Sequence, residues 1–243
     1  MSVHYNPKIV TDGFVLALGA GNAKSYPGSG TTWSDLSSNR NNGTLTNGPT
    51  FSSANGGSIV FDGSDDYVDF GSNGASIVNG LSEITVEIWY KSDSTGNNGG
   101  LVFGGTSNSK DSGISVRFDS NGYAGSGTNV IKAGFGQHDE NSTSNQIESS
   151  SNIQSTDWTY ITVVCDLQTS IKLYKNGVED TPTYTNADGS STSSISGCDG
   201  FIVGYGMGNV KWDGKISNVK IYNRVLTATE IKQNYNATKG RYV

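Results

Sequence analysis

The sequence predicts an all-β protein: two antiparallel sheets packed as a sandwich, with a short C-terminal helix outside. Three observations carry this. Turn dipeptides recur along the whole chain, Asn-Gly at 42, 47, 55, 73, 79, 98, 121 and 176, and Asp-Gly at 12, 62, 188, 199 and 213. Such pairs tolerate positive φ and suit the primed turns whose twist matches antiparallel strands. Between the turns lie short segments with apolar residues at alternate positions. Finally, 8 Phe, 12 Tyr and 4 Trp supply large rings for a core, although the chain is only 33% apolar. With 16% charged residues and 4 Pro among its 243, the chain is neither a coiled coil nor collagen. A single sandwich of this length buries roughly 70–75% of its unfolded surface.

Each element follows from its residues. In 83–90, Ile84, Val86, Ile88 and Tyr90 share one face, and Glu83, Thr85, Glu87 and Trp89 share the other. Ile114, Val116 and Phe118 alternate with Ser115 and Arg117. Segment 158–166 is apolar on both faces, which reads as a central strand. Ile171 and Leu173 lead into Lys175-Asn-Gly-Val178, a hairpin signal. In 216–222 the apolar phase shifts between Ile216 and Val219, so an extra residue near Ser217 and Asn218 implies a β-bulge. Thr227 and Glu230 form a capping box that opens a helix, with Ile231 and Tyr235 on its inward face and Gly240 at its end. Stretches 137–156 and 181–199 are too polar for core strands and read as surface loops. The Gly-rich run at 203–208 sits between two strands and reads as a turn or close-packed strand end.

Charge and cysteine usage narrow the classes of function. The net charge is −6 and the pI about 4.8. With no basic cluster, the footprint for nucleic acid is missing. No apolar run is long enough to span a membrane, and the first residues show no secretory signal. Cys165 and Cys198 read as free buried thiols, although one bridge between them is open. His4 and His138 are the only histidines and make no ligand pair; His138-Asp139 carries no specific triad signal. No Cys-x-x-Cys, phosphate loop or dinucleotide fingerprint is present.

Five runs in order carry a family resemblance: DLSSNRNNGTL at 35–45, SIVFDGSDDYV at 58–68, the strand ending at Trp89 with Trp158 opening its partner, LYKNGV at 173–178, and GKISNVKIYNRVL at 214–226. Together they resemble laminin-G-like jelly rolls of the concanavalin A-like lectin and glucanase superfamily. The opening GFVLAL with AGNAKSYPG, and the ending at Gly240-Arg-Tyr, resemble the version found in bacteriophage virion structural proteins. The resemblance implies a jelly roll over 13–237, helix included, with an N-terminal arm at 1–12 and a tail at 238–243. It also marks departures. Relatives carry Asp where this chain has Gly19, and acids at Ser217 and Asn218, so an inherited calcium site loses ligands.

Chemistry is then sought in three constellations. Glu83, Thr85 and Glu87 resemble the acidic array of retaining glucanases, but Thr85 replaces the middle carboxylate, so the chain reads as a non-enzyme. Asp62, Asp65 and Asp66 crowd one turn, and the family brings Asp213 to the same region. These four are the candidate ligands for calcium, the one cofactor considered. Sugar rings stack on exposed aromatic faces. Trp158 is discounted as a family core position. Trp89 and Tyr123 are noted, while Trp33, Tyr205, Trp212 and Asp213 form the candidate carbohydrate site. Loops 22–34, 92–98, 137–156 and 181–199 are the expected seat of function.

The expected function is a non-catalytic surface protein of a phage virion, a capsid decoration or a tail or fibre component. It would be made in the host cytoplasm without a signal. Its partners would be other virion proteins, copies of itself in an oligomer or symmetric array, and cell-surface glycans, with no nucleic acid or membrane insertion. A free lectin is the alternative, and a glycosidase comes third.

Overall fold

Alternating segments become strands, and the strands assemble into two sheets in which every pairing among the described residues is antiparallel. The structure, a computed structural model, describes residues 7–105, 113–121, 128–136, 145–186, 193–206 and 208–242. One sheet has eight strands: β1 (Phe14–Gly19), β4 (Thr50–Ser52), β5 (Ser58–Asp62), β7 (Glu83–Ser92), β12 (Thr159–Asp166), β13 (Ser170–Lys175), β14 (Val178–Glu179) and β19 (Asp213–Tyr222). They run β14-β13-β12-β7-β19-β5-β4, with β1 also paired to β19. The other has nine: β2 (Thr32–Trp33), β3 (Gly43–Thr46), β6 (Tyr67–Asp69), β8 (Gly99–Gly104), β9 (Ile114–Asn121), β10 (Thr128–Phe135), β11 (Gln146–Glu148), β15 (Tyr184–Asn186) and β16 (Ile202–Val203). Their order is β15-β11-β10-β9-β8-β16-β6-β3-β2. A small hairpin, β17 (Tyr205–Gly206) and β18 (Val210–Lys211), lies over β8.

The core is the space between the inner faces. Ile84, Val86, Ile88 and Tyr90 of β7 meet Ile114, Val116 and Phe118 of β9 within one buried apolar cluster. Strand β12 is central, between β7 and β13. The bulge falls at Ser217, because Ile216 pairs with Tyr90 and Asn218 with Trp89, the next residue back. Asn176 and Gly177 both take positive φ, 52° and 72°, which closes the β13–β14 hairpin. Gly100 and Gly206 let β8 and the small hairpin touch: a Cβ on Gly100 would lie 1.8 Å from the Gly206 nitrogen.

The face of β7 that carries Glu83, Thr85, Glu87 and Trp89 lies under a helix. Helix α1 (Ala228–Thr238), opened by the Thr227–Glu230 capping box, lies across it. Glu87 there is fully buried, paired with Lys220 at 3.2 Å, and accepts from the Asn234 amide at 2.8 Å. Two expectations are corrected. The described part of the tail, up to Tyr242, is packed on the sandwich. A short 3₁₀ turn (Lys239–Arg241) brings Tyr242 onto Trp89, ring centroids 4.1 Å apart, with Trp158 beside it. The two polar loops also contain strands: β11 places Ile147 in the core, and β15 pairs with β11. The arm at 8–10 is tied to the same helix, Val10 N–H donating to Asn234 Oδ1 at 2.7 Å, so both ends of the described chain meet.

Candidate functional site

Strand alternation separates the four residues expected to bind sugar. Lys211 and Asp213 face out, and Trp212 between them faces in, stacked on Phe118 at 5.6 Å and edge-on to Tyr90 at 5.7 Å. Trp33, on β2, is likewise fully buried in the core. Neither ring has a face to offer a ligand, because the sandwich needs both as filling. Trp89 and Trp158 are buried in the cluster under Tyr242. Tyr123, His4 and His138 lie outside the described residues. Tyr205 and Asp213 keep surface positions.

Around Tyr205 the structure brings together residues that the sequence left scattered. A hollow of about 200 Å³ lies on the outer face of the nine-stranded sheet. Phe103, Ile202 and Tyr205 give it an apolar lining, and Asp69 and Asp199 give it carboxylates. Outward positions of three neighbouring strands supply this set, since Ile202 pairs with both Phe103 and Asp69. Asp69 Oδ1 accepts the Gly71 amide at 2.7 Å, which fixes its carboxylate and leaves lone pairs over. Tyr205 is held by its hydroxyl, 2.8 Å from Asn209 Oδ1, and by the Lys211 ammonium 3.7 Å from its ring centroid. Partial burial pulls Lys211 down from the ordinary lysine range, against an opposing pull from Asp65. An apolar floor with a few fixed hydrogen-bonding groups is the make-up of a small-ligand site.

Next to it is the acidic turn. Carboxylate oxygens of Asp62, Asp65 and Asp66 come within 4.8 Å of one another. Asp213 faces Asp62 across the β5–β19 ladder. Burial pushes the Asp66 carboxyl up, and crowding by Asp62 and Asp65 adds to this; the Ser64 amide holds Asp62 down. Burial and then Asp93 and Asp62 push Asp213 up. These donors suit a hard cation in kind. Two of the turn's carboxylates, however, already accept its own amides, Ser64 N–H to Asp62 at 2.8 Å and Asp62 N–H to Asp66 at 3.0 Å. These two bonds hold the turn's shape from within. At the positions where relatives carry acids, Gly19 pairs with Asn218, and the Tyr242 hydroxyl bonds Ser217 and Asn218.

Other reactive groups are occupied. Glu83 accepts the Val225 amide at 3.1 Å, and Glu87 is sealed under the helix. Both cysteines are free and buried, and burial pushes the Cys198 thiol up to about 12. Across the middle of the nine-stranded sheet runs a row in register, Gly100, Arg117, Lys132 and Glu148. Arg117 and Lys132 both pair with Asp119, the lysine at 3.0 Å. The Thr183 hydroxyl donates to Glu148. Among the described residues, the two cations of this buried row share Asp119, and the Tyr205 hollow is a separate opening on the same face.

Comparison with known proteins agrees with this architecture. A family model described as the concanavalin A-like lectin/glucanases superfamily matches residues 62–232. Among solved structures, domain 4 of AbnA, a GH43 extracellular arabinanase from Geobacillus stearothermophilus, superposes with a TM-score of 0.61 at 16% identity. It covers 91% of this chain and 98% of that one. Botulinum neurotoxin type C superposes at 0.62 and 14% identity, covering 93% of this chain and 51% of the toxin chain. Trypanosoma rangeli sialidase superposes at 0.63 and 13% identity, covering 96% and 35%. This chain thus spans about half of the toxin chain and a third of the sialidase chain. At these identities the likeness is one of fold. No curated protein matches in sequence. The jelly-roll topology and the family match over most of its length make the chain a member of the concanavalin A-like lectin/glucanase superfamily.

Proposed function

We propose that this protein is a non-catalytic carbohydrate-binding module whose site is the Tyr205 hollow, and that its ligand is an uncharged glycan. One observation carries the reading: Phe103, Ile202 and Tyr205 form an apolar bed flanked by the carboxylates of Asp69 and Asp199. A sugar lays its C–H face on such a bed, and carboxylates accept its hydroxyls strongly. Charge selects among sugars. With Asp62, Asp65 and Asp66 next door and a net charge of −6, an anionic sugar pays a Coulombic penalty that a neutral one avoids. Among the structural neighbours, the arabinanase domain was solved with arabinotriose, an uncharged trisaccharide.

Catalysis is left out because the one array that resembles a glucanase site has Glu87 buried against Lys220. The test is titration calorimetry with arabinotriose and a sialylated trisaccharide, followed by a neutral glycan array. Binding of neutral glycans that falls at least tenfold in Tyr205→Ala and Asp69→Asn supports the reading. Preference for the sialylated sugar, or release of nitrophenol from aryl glycosides that Asp69→Asn abolishes, overturns it.

The setting we propose is the outside of a bacteriophage particle, as a decoration or fibre-type subunit in contact with other virion proteins. It rests on the resemblance of the opening and closing segments, and on an acidic surface that keeps a multivalent object away from packaged DNA. Mass spectrometry of purified particles should find the chain. Particles that lack it would contradict this placement while leaving the sugar site standing.

A further inference from the structure

A second and larger cavity, about 770 Å³, lies on the opposite side of the molecule, over the outer face of the eight-stranded sheet. Helix α1 covers β7 and β12 there, but not the place where β1 pairs with the far half of β19. The floor at that place is paved with small residues, Ala17, Gly19 and Ser217. Above Gly19 the space is open, since the nearest atom to a Cβ built on it would be 3.9 Å away. Segment 7–14, loop 36–38 and the end of the helix wall the groove.

Two features of the groove call for a ligand. Ile9 and Leu36, 37% and 44% exposed, line it, and they are two of the three large apolar side chains left exposed among the described residues. Lastly, Arg241 lines the groove with no carboxylate bound to it among the described residues. The other charged residues at the groove are paired, Lys220 with Glu87 and Asp12 with Arg224.

We infer that this groove docks an extended segment of another protein, one that combines an aliphatic side chain with a carboxylate. The lips are aliphatic, which suits a Leu or Val side chain better than a sugar face, whose usual platform is a ring. A carboxylate on the segment complements Arg241. The segment lies on the sheet face and does not add a strand. The free edge of β1 is already closed by Leu36 N–H donating to Ala17 O at 2.9 Å and Ala17 N–H donating to Asp35 at 2.8 Å. The groove lies between segments 7–14 and 237–241 and shares no lining residue with the Tyr205 hollow, so protein anchoring and sugar binding use separate surfaces.

The experiment is selection of displayed random twelve-residue peptides on the full chain, with Leu36→Asp as counter-selection, then fluorescence anisotropy of a selected synthetic peptide. The expected peptides pair aliphatic with acidic residues, and their Kd rises at least tenfold in Leu36→Asp and Arg241→Glu. Tyr205→Ala leaves that Kd unchanged, which separates this site from the sugar site. Leu36 is exposed, so its variant should keep the wild-type circular-dichroism melt. The inference is overturned if no peptide survives counter-selection, or if selected peptides bind Leu36→Asp equally well. It is also overturned if sedimentation shows a dimer that Leu36→Asp dissolves, which would give the groove to a second copy.

Discussion

Glu87 shows how a residue can look like chemistry and act as structure. Its carboxylate, fully buried, meets Lys220 at 3.2 Å and the Asn234 amide at 2.8 Å. Burial, and then this carboxylate, push the Tyr160 and Tyr222 hydroxyls far up, so both phenols stay protonated. Removing one partner strands the other charge without solvent. Glu87→Leu should therefore cost about 3–5 kcal/mol in urea unfolding. Glu87→Leu combined with Lys220→Met should recover most of it, and sugar affinity should not move in the double variant. Tryptophan carries the opposite lesson. From sequence, Trp33 and Trp212 read as rings beside loops, because alternation over one or two strand residues is too short to define a face. Only the packing of Trp212 on Phe118 and Tyr90 settles its direction. Phe103, Asp69 and Asp199 left no sequence signal, since Phe103 hides in an apolar run and both acids sit where turns also favour them.

At the scale of elements, local devices were legible and distant ones were not. The capping box was readable because Thr227 and Glu230 stand three residues apart, and both of its hydrogen bonds are formed. The bulge at Ser217 was readable as a slip in phase. What the helix covers was not readable: Tyr242 reaches Trp89 through tertiary contact, and neither segment announces the other. Strand β11 was missed because a three-residue strand with one inward side chain has no period to detect. The cap makes its own prediction. Hydrogen bonds from Arg224, the nearer at 2.7 Å, and from Thr227 hold Glu230 down at about 2. A carboxyl lowered on folding adds stability above its unfolded value of about 4.3 and loses it as pH falls towards 2. Thermal melts should drop across that window, and less steeply in Glu230→Gln. Because the pair is partly exposed, the difference should stay below about 1 kcal/mol.

At the scale of the whole molecule, each sheet of the sandwich carries an opening on its outer face. The outer face of the eight-stranded sheet is closed by the helix except at the Ile9–Leu36 groove, and the other face opens at the Tyr205 hollow. The acidic turn beside that hollow is held by its own amides. We therefore expect EDTA and millimolar calcium to leave both the melting temperature and sugar affinity unchanged; a rise of several degrees with calcium would assign the turn to the metal. The fold itself was legible from turn dipeptides and alternation, since both are repeated along the chain and reinforce one another. The site was not, because it gathers single residues from β6, β8, β16 and β17, and no local pattern links them. The central claim is that this gathered hollow binds uncharged glycans. Its most direct measurement is neutral and sialylated glycan-array binding of the wild type beside Tyr205→Ala. The account predicts binding to uncharged glycans that falls at least tenfold in the variant, a loss of about 1.4 kcal/mol or more. Binding that survives Tyr205→Ala unchanged, or a wild-type chain that binds no neutral glycan, would contradict it.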